Sequence, residues 1–127
     1  MRWKSARRAA TVAAAATVML GASMGTAMAD AVTHIWDNYD HQVGSARFWT
    51  NGDNLTAYDG YPDGKAVVAF LGVNGRLYQS WALNGSGTSH TSYLDFPEGL
   101  KVDLQVCTGI WNPRTILDCS HHVSGTT

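Results

Sequence analysis

A few side chains in this sequence could carry chemistry. Asp118-Cys119-Ser120-His121-His122 gathers ligand-type residues, and His34, His41 and His90 stand elsewhere. Zinc sites use spaced pairs such as C-x2-C or H-x3-H, and adjacent histidines on a strand point to opposite faces. The His121-His122 pair therefore reads as structural or solvent-facing, and no metal is expected. Ser86 sits in Gly85-Ser86-Gly87, but a nucleophile needs a base, an orienting group and usually an elbow such as G-x-S-x-G. It reads as loop. Any two of the ten carboxylate side chains could flank a glycosidic bond, yet no spacing selects a pair. No catalytic residue and no cofactor is assigned, and the chain is expected not to be an enzyme.

The sharper candidates are binding residues. Residues 108–118 hold Ile110, Trp111, Pro113 and Arg114 between the only two cysteines, Cys107 and Cys119. A bridged loop is preorganised, which lowers the cost of association. Presenting Arg114-Thr115, it could enter a trypsin-like protease as a substrate mimic. Trp111 could equally anchor a protein or stack on a sugar. The plainer alternative is that Ile110 and Trp111 fold back to cap the core. A second pair of anchors, Trp36 and Tyr39, lies near the front of the chain; large aromatics dominate many interfaces.

The elements that must position these residues begin after a targeting segment. Arg2, Lys4, Arg7 and Arg8 precede an alanine-rich apolar run that ends in Ala27-Met28-Ala29. This is the pattern of a secretory signal cleaved before Asp30. The run is shorter than the ~20 residues that span a bilayer. The remaining 98 residues suit one domain. They carry five basic and ten acidic side chains, a net charge of −5. An acidic domain with scattered basic residues is a poor match for nucleic acid or an anionic membrane surface. Export with an even cysteine count makes a Cys107–Cys119 disulfide the default. Closing so short a loop contributes about 3 kcal/mol.

In residues 30–44, Val32, Ile35, Trp36, Tyr39 and Val43 recur at three- and four-residue intervals, the spacing of a helix face. This N-terminal arm is either a small docked helix or an extended segment, or it covers an edge strand of its own domain. From Gly44 onward the pattern is β. Strands are expected at 46–50, 55–58, 66–73, 76–83, 92–96, 101–107 and 115–120. Asn74-Gly75 joins two of them as a type I′ hairpin signal. Residues 84–91 read as a flexible loop. Val102, Leu104 and Val106 alternate with Lys101, Asp103 and Gln105, as on a strand with one wet face. Seven short strands predict an all-β, antiparallel, immunoglobulin-like β-sandwich over 45–122 with one hairpin disulfide, followed by a disordered tail at 123–127.

The sequence resembles a group of small secreted proteins of Streptomyces-type actinobacteria. The matching features begin with Asn51-Gly52-Asp53-Asn54-Leu55 after a short strand and Asp63-Gly64-Lys65 before the central one. Leu94-x-Phe96-Pro97-Glu98-Gly99 then runs into Val102 and Val106-Cys107, and Asp118-Cys119-Ser120 closes the pattern. The resemblance spans roughly 46–120, and its motifs are turns, a corner and a staple, so it implies a scaffold and a secreted protein. Some such proteins are similar to the adaptor subunit of umbrella toxin particles, in which a β-sandwich with an N-terminal extension links a lectin-like subunit to a repeat-containing toxin. Residues 30–44 would be that extension. Two features depart from true immunoglobulin domains: Gln105 stands where a tyrosine corner would place Tyr, and the cysteines staple one hairpin instead of two sheets.

The expected function is a secreted binding module, an adaptor whose partner is another secreted protein met through Trp36, Tyr39, Trp111 and Arg114. The alternatives are a protease inhibitor acting through Arg114 and a cell-wall or glycan-binding protein.

Overall fold

The computed structural model describes residues 30–127; the expected signal segment, 1–29, lies outside them. Nine strands follow one another, with no helix among the described residues. They are β1 Ala31–Trp36, β2 Gln42–Trp49, β3 Asn54–Asp59, β4 Ala66–Val73, β5 Arg76–Ala82, β6 Thr88–Tyr93, β7 Lys101–Ile110, β8 Thr115–Cys119 and β9 Val123–Thr126.

Two antiparallel sheets result. One has the order β1-β2-β3-β6. In the other, β7 pairs with β4, which pairs with β5, while β8 and β9 lie in succession along the far edge of β7. Alternate residues fill the space between them: Ala46 and Phe48 of β2, Leu55 and Ala57 of β3, Val67, Ala69 and Leu71 of β4, and Val102, Leu104 and Val106 of β7. This is the all-β sandwich that the alternation predicts. Of the seven expected strands, β2-β3-β6 and β8-β7-β4 keep the A-B-E and G-F-C orders of immunoglobulin domains, while the fourth, β5, pairs with β4 in the second sheet instead of with β6.

The two additional strands lie at the ends of the described chain. Residues 30–44 form neither a helix nor a free arm: Ala31, Thr33 and Ile35 face inward and Val32, His34 and Trp36 outward, as β1 pairs along β2. The three- and four-residue spacing arose from mixing residues of both strand faces. The tail is ordered as well. Val123–Thr126 pairs with Leu104 back to Lys101, and Thr127 is buried, with its hydroxyl donating to the Pro97 carbonyl at 2.7 Å. A ladder is made by backbone groups, so polar composition does not forbid it. Residues 84–91 are likewise loop only to Gly87; Thr88 opens β6, a polar strand held against β3.

The Cys107–Cys119 bridge joins β7 to β8 with Cα atoms 4.0 Å apart. The register shifts on the tip side of the bridge, between Cys107 and Gly109, while on its other side Ser120 continues the pairing with β7. Its N–H donates to the Val106 carbonyl at 2.8 Å, and its hydroxyl accepts the Val106 N–H at 3.1 Å. Thr33 of β1 reaches the same hydroxyl, which closes this side of the sandwich. Asn74 and Gly75 both have positive φ, 51° and 75°, the backbone of the expected hairpin turn.

Candidate functional site

Because consecutive strands alternate in direction, connections 37–41, 60–65, 83–87 and 111–114 all emerge at one end of the sandwich. Tyr39 belongs to the first, with Trp36 beside it at the end of β1, and Trp111 and Arg114 belong to the last. All four candidate contact residues, read as two separate sites, therefore share one end.

The 37–41 loop is fixed by its own acid. Asp37 Oδ1 accepts the N–H groups of Tyr39 (2.8 Å) and His41 (2.9 Å), and Oδ2 lies 2.8 Å from His41 Nδ1. The His41 ring stacks on Tyr61 at 4.2 Å between centroids, which couples this loop to 60–65. Thus held, Trp36 stays 58% and Tyr39 82% exposed. Aromatics this exposed on an ordered loop lose little further freedom on binding.

The 111–114 tip is supported from the outer face of the second sheet. Trp81, Val68 and Cys107 form a small buried cluster there, apart from the main core. The Trp81 ring crosses Gly109, where an added Cβ would stand 3.1 Å from it and 2.8 Å from the Thr115 carbonyl oxygen. Only glycine leaves that room. Trp111 packs edge-on against Trp81 at 5.2 Å, and the Arg114 guanidinium lies 4.0 Å above the Trp111 ring. Trp111 thus folds back onto another tryptophan, not onto the end of the main core, and remains 41% exposed.

Two clefts flank the 60–65 loop between these groups. One, of about 430 Å³, is bordered by Trp36, Tyr39, Asp63, Lys65 and Asp118. The other, of about 520 Å³, is bordered by Asp59, Tyr61, Lys65, Leu83, Ile110 and Trp111. Lys65 borders both. Sequence reasoning missed Asp59, Tyr61 and Lys65; the signal for the first was the alternation Leu55, Ala57, Asp59, which turns it toward the interior.

Ser86 borders the second cleft, whereas His122, Trp49 and His90 lie elsewhere. His122 Nδ1 lies 2.6 Å from Asp103 Oδ2 on the outer face of the second sheet. No cluster of three metal-ligating side chains occurs among the described residues. Trp49 is near the opposite end, its indole N–H donating to Thr56 Oγ1 and its ring covered by Arg47. Ser80 is buried and lies 2.9 Å from both the carbonyl and Nδ1 of His90, bridging the two sheets. Comparison of the chain with models of known families, with curated proteins and with solved structures finds no match.

Proposed function

We propose that the chain is a secreted, non-enzymatic binding module that serves as an adaptor in an extracellular protein assembly, of the kind found in secreted toxin complexes. The observation that carries this reading is the convergence of Trp36, Tyr39, Trp111 and Arg114 on one end of a rigid sandwich. Exposed aromatic and arginine side chains on ordered loops are the residue types that supply most interface energy. The net charge of −5 over the described residues favours partners with a basic or neutral face.

Affinity capture from the culture supernatant of the producing organism tests the proposal. Wild-type protein should retain a stoichiometric protein partner, and the W36A/Y39A and W111A/R114A variants should each retain much less. Removing residues 30–44 would be a poor control, because they supply β1 and part of β2. Absence of any stoichiometric protein, or capture indifferent to both variants, would overturn the adaptor reading. Inhibition of a trypsin-like enzyme or elution by free sugar would then favour the inhibitor or the glycan reading.

A further inference from the structure

The last inward-facing position of β3 is a carboxylate. Leu55 and Ala57 are fully buried between the sheets, and Asp59 follows them at 2% exposure. Among the described residues its carboxylate receives one protein hydrogen bond, from the Tyr61 N–H at a long 3.3 Å. The ion pairs among those residues are His41–Asp37, Arg47–Asp30 and His122–Asp103. Lys65 borders the same cleft but comes no nearer than the limit of an ion pair. A carboxylate removed from water without a counter-charge is costly. Burial accordingly pushes the Asp59 carboxyl above its ordinary value; the Tyr61 N–H opposes this, and the negative charge of Asp63 adds to it.

The cleft of about 520 Å³ into which Asp59 faces has hydrocarbon walls at Ala66, Ala82, Leu83, Ile110 and Trp111, with Tyr61, Lys65 and Ser86 at its polar border. A ligand that fits such walls has an apolar stem and a cationic tip. A guanidinium prefers paired acceptors, and one Asp59 oxygen already serves Tyr61. A compact ammonium needs only the other.

We propose that this cleft receives the side chain of a lysine presented by a partner protein. Its methylenes run along Leu83, Ile110 and Trp111, and its ammonium reaches Asp59. That the lysine belongs to a protein rests on the binding-module reading above; the preference for an alkylammonium is a property of this chain alone.

Nα-acetyl-lysinamide, titrated into the disulfide-bonded protein and followed by amide and indole chemical shifts, is the test. Saturable shifts are expected at Asp59, Tyr61 and Trp111. Nα-acetyl-norleucinamide, which has the stem without the charge, and methyl glucoside should each bind at least about 10-fold more weakly. D59N keeps an oxygen for the Tyr61 N–H and should lose about 10-fold in lysinamide affinity with its spectrum otherwise intact. The norleucinamide comparison needs no variant, so it decides the matter even if D59N misfolds. Equal binding of the two amides, or shifts produced by the sugar in place of lysinamide, would overturn the assignment. Lysinamide binding without any captured partner would leave the cleft standing and the adaptor reading fallen; the reverse pair of results would do the opposite.

Discussion

The Trp111 indole stands edge-on to that of Trp81, with ring centroids 5.2 Å apart and planes inclined by 69°. This contact, with Arg114 stacked on Trp111, holds the tip of the stapled hairpin against its own sheet. An edge-to-face aromatic pair adds about 0.5–1.5 kcal/mol beyond area burial, and an exposed cation–π contact about 0.5–1 kcal/mol. Trp111→Ala should therefore lower stability by about 1–3 kcal/mol once lost burial is included. Arg114→Ala should cost less than about 1 kcal/mol, and nothing further once Trp111 is absent. Urea unfolding of the two single variants and the double variant measures the coupling.

The staple itself is more important to stability. Replacing Cys107 and Cys119 together by Ala should cost about 3 kcal/mol through the unfolded chain. Cys107 also packs on Val68 and Trp81, so some native packing is lost too. Unfolding midpoints of the wild type with and without reductant, beside those of the double variant, separate the two contributions. Reduction should account for most of the loss.

A strand and an arm respond differently to truncation of side chains. Ile35 is 5% exposed and faces the core from β1, so Ile35→Ala should cost about 2–5 kcal/mol. Its neighbour Trp36 faces outward, and Trp36→Ala should change stability by no more than about 0.5 kcal/mol. Thermal unfolding of the pair tests the division. Equal, small effects would mean that β1 contributes little to the fold.

Asp59 gives the protein a pH signature of known sign. Its folded carboxyl is raised above the unfolded value, chiefly by burial, so the native state binds the extra proton. Stability contributed by this group therefore falls as pH rises through the folded value and is recovered on acidification. Asp59→Asn removes the charge and should raise Tm at pH 7, with the gain shrinking toward pH 3. Asp30 works the other way: a hydrogen bond from Arg47, then one from the Thr50 N–H, hold its carboxyl low. That contribution is common to both proteins and cancels in the difference between them. A gain in Tm that is the same at both pH values would refute the role given to the charge.

Much of the scaffold was legible because its signals are local. Asn74-Gly75 specifies a turn by backbone conformation alone, and Val102, Leu104 and Val106 mark the inner face of β7 by simple alternation. β1 was obscured because Val32, Ile35, Trp36 and Tyr39, drawn from opposite faces and a loop, happen to imitate helical spacing. β9 was obscured for the opposite reason: Ser124, Gly125 and Thr126 contribute backbone hydrogen bonds and almost no apolar surface. The binding end was legible in its residues but not in its assembly. Trp36 and Trp111 are 75 positions apart in the chain, and only the alternating course of the strands brings their loops to the same end.

That course also divides the molecule into parts of different mutability. Residues 37–41, 60–65, 83–87 and 111–114 are each bracketed by paired backbone on both sides, while the Asn74-Gly75 turn lies at the far pole. Loop positions whose side chains do not pack on the layers beneath, unlike Trp111 on Trp81, can be rewritten with little effect on the fold. The chain can thus serve as a display scaffold, tethered through the 74–75 turn, with diversified loops facing away from the surface that carries it.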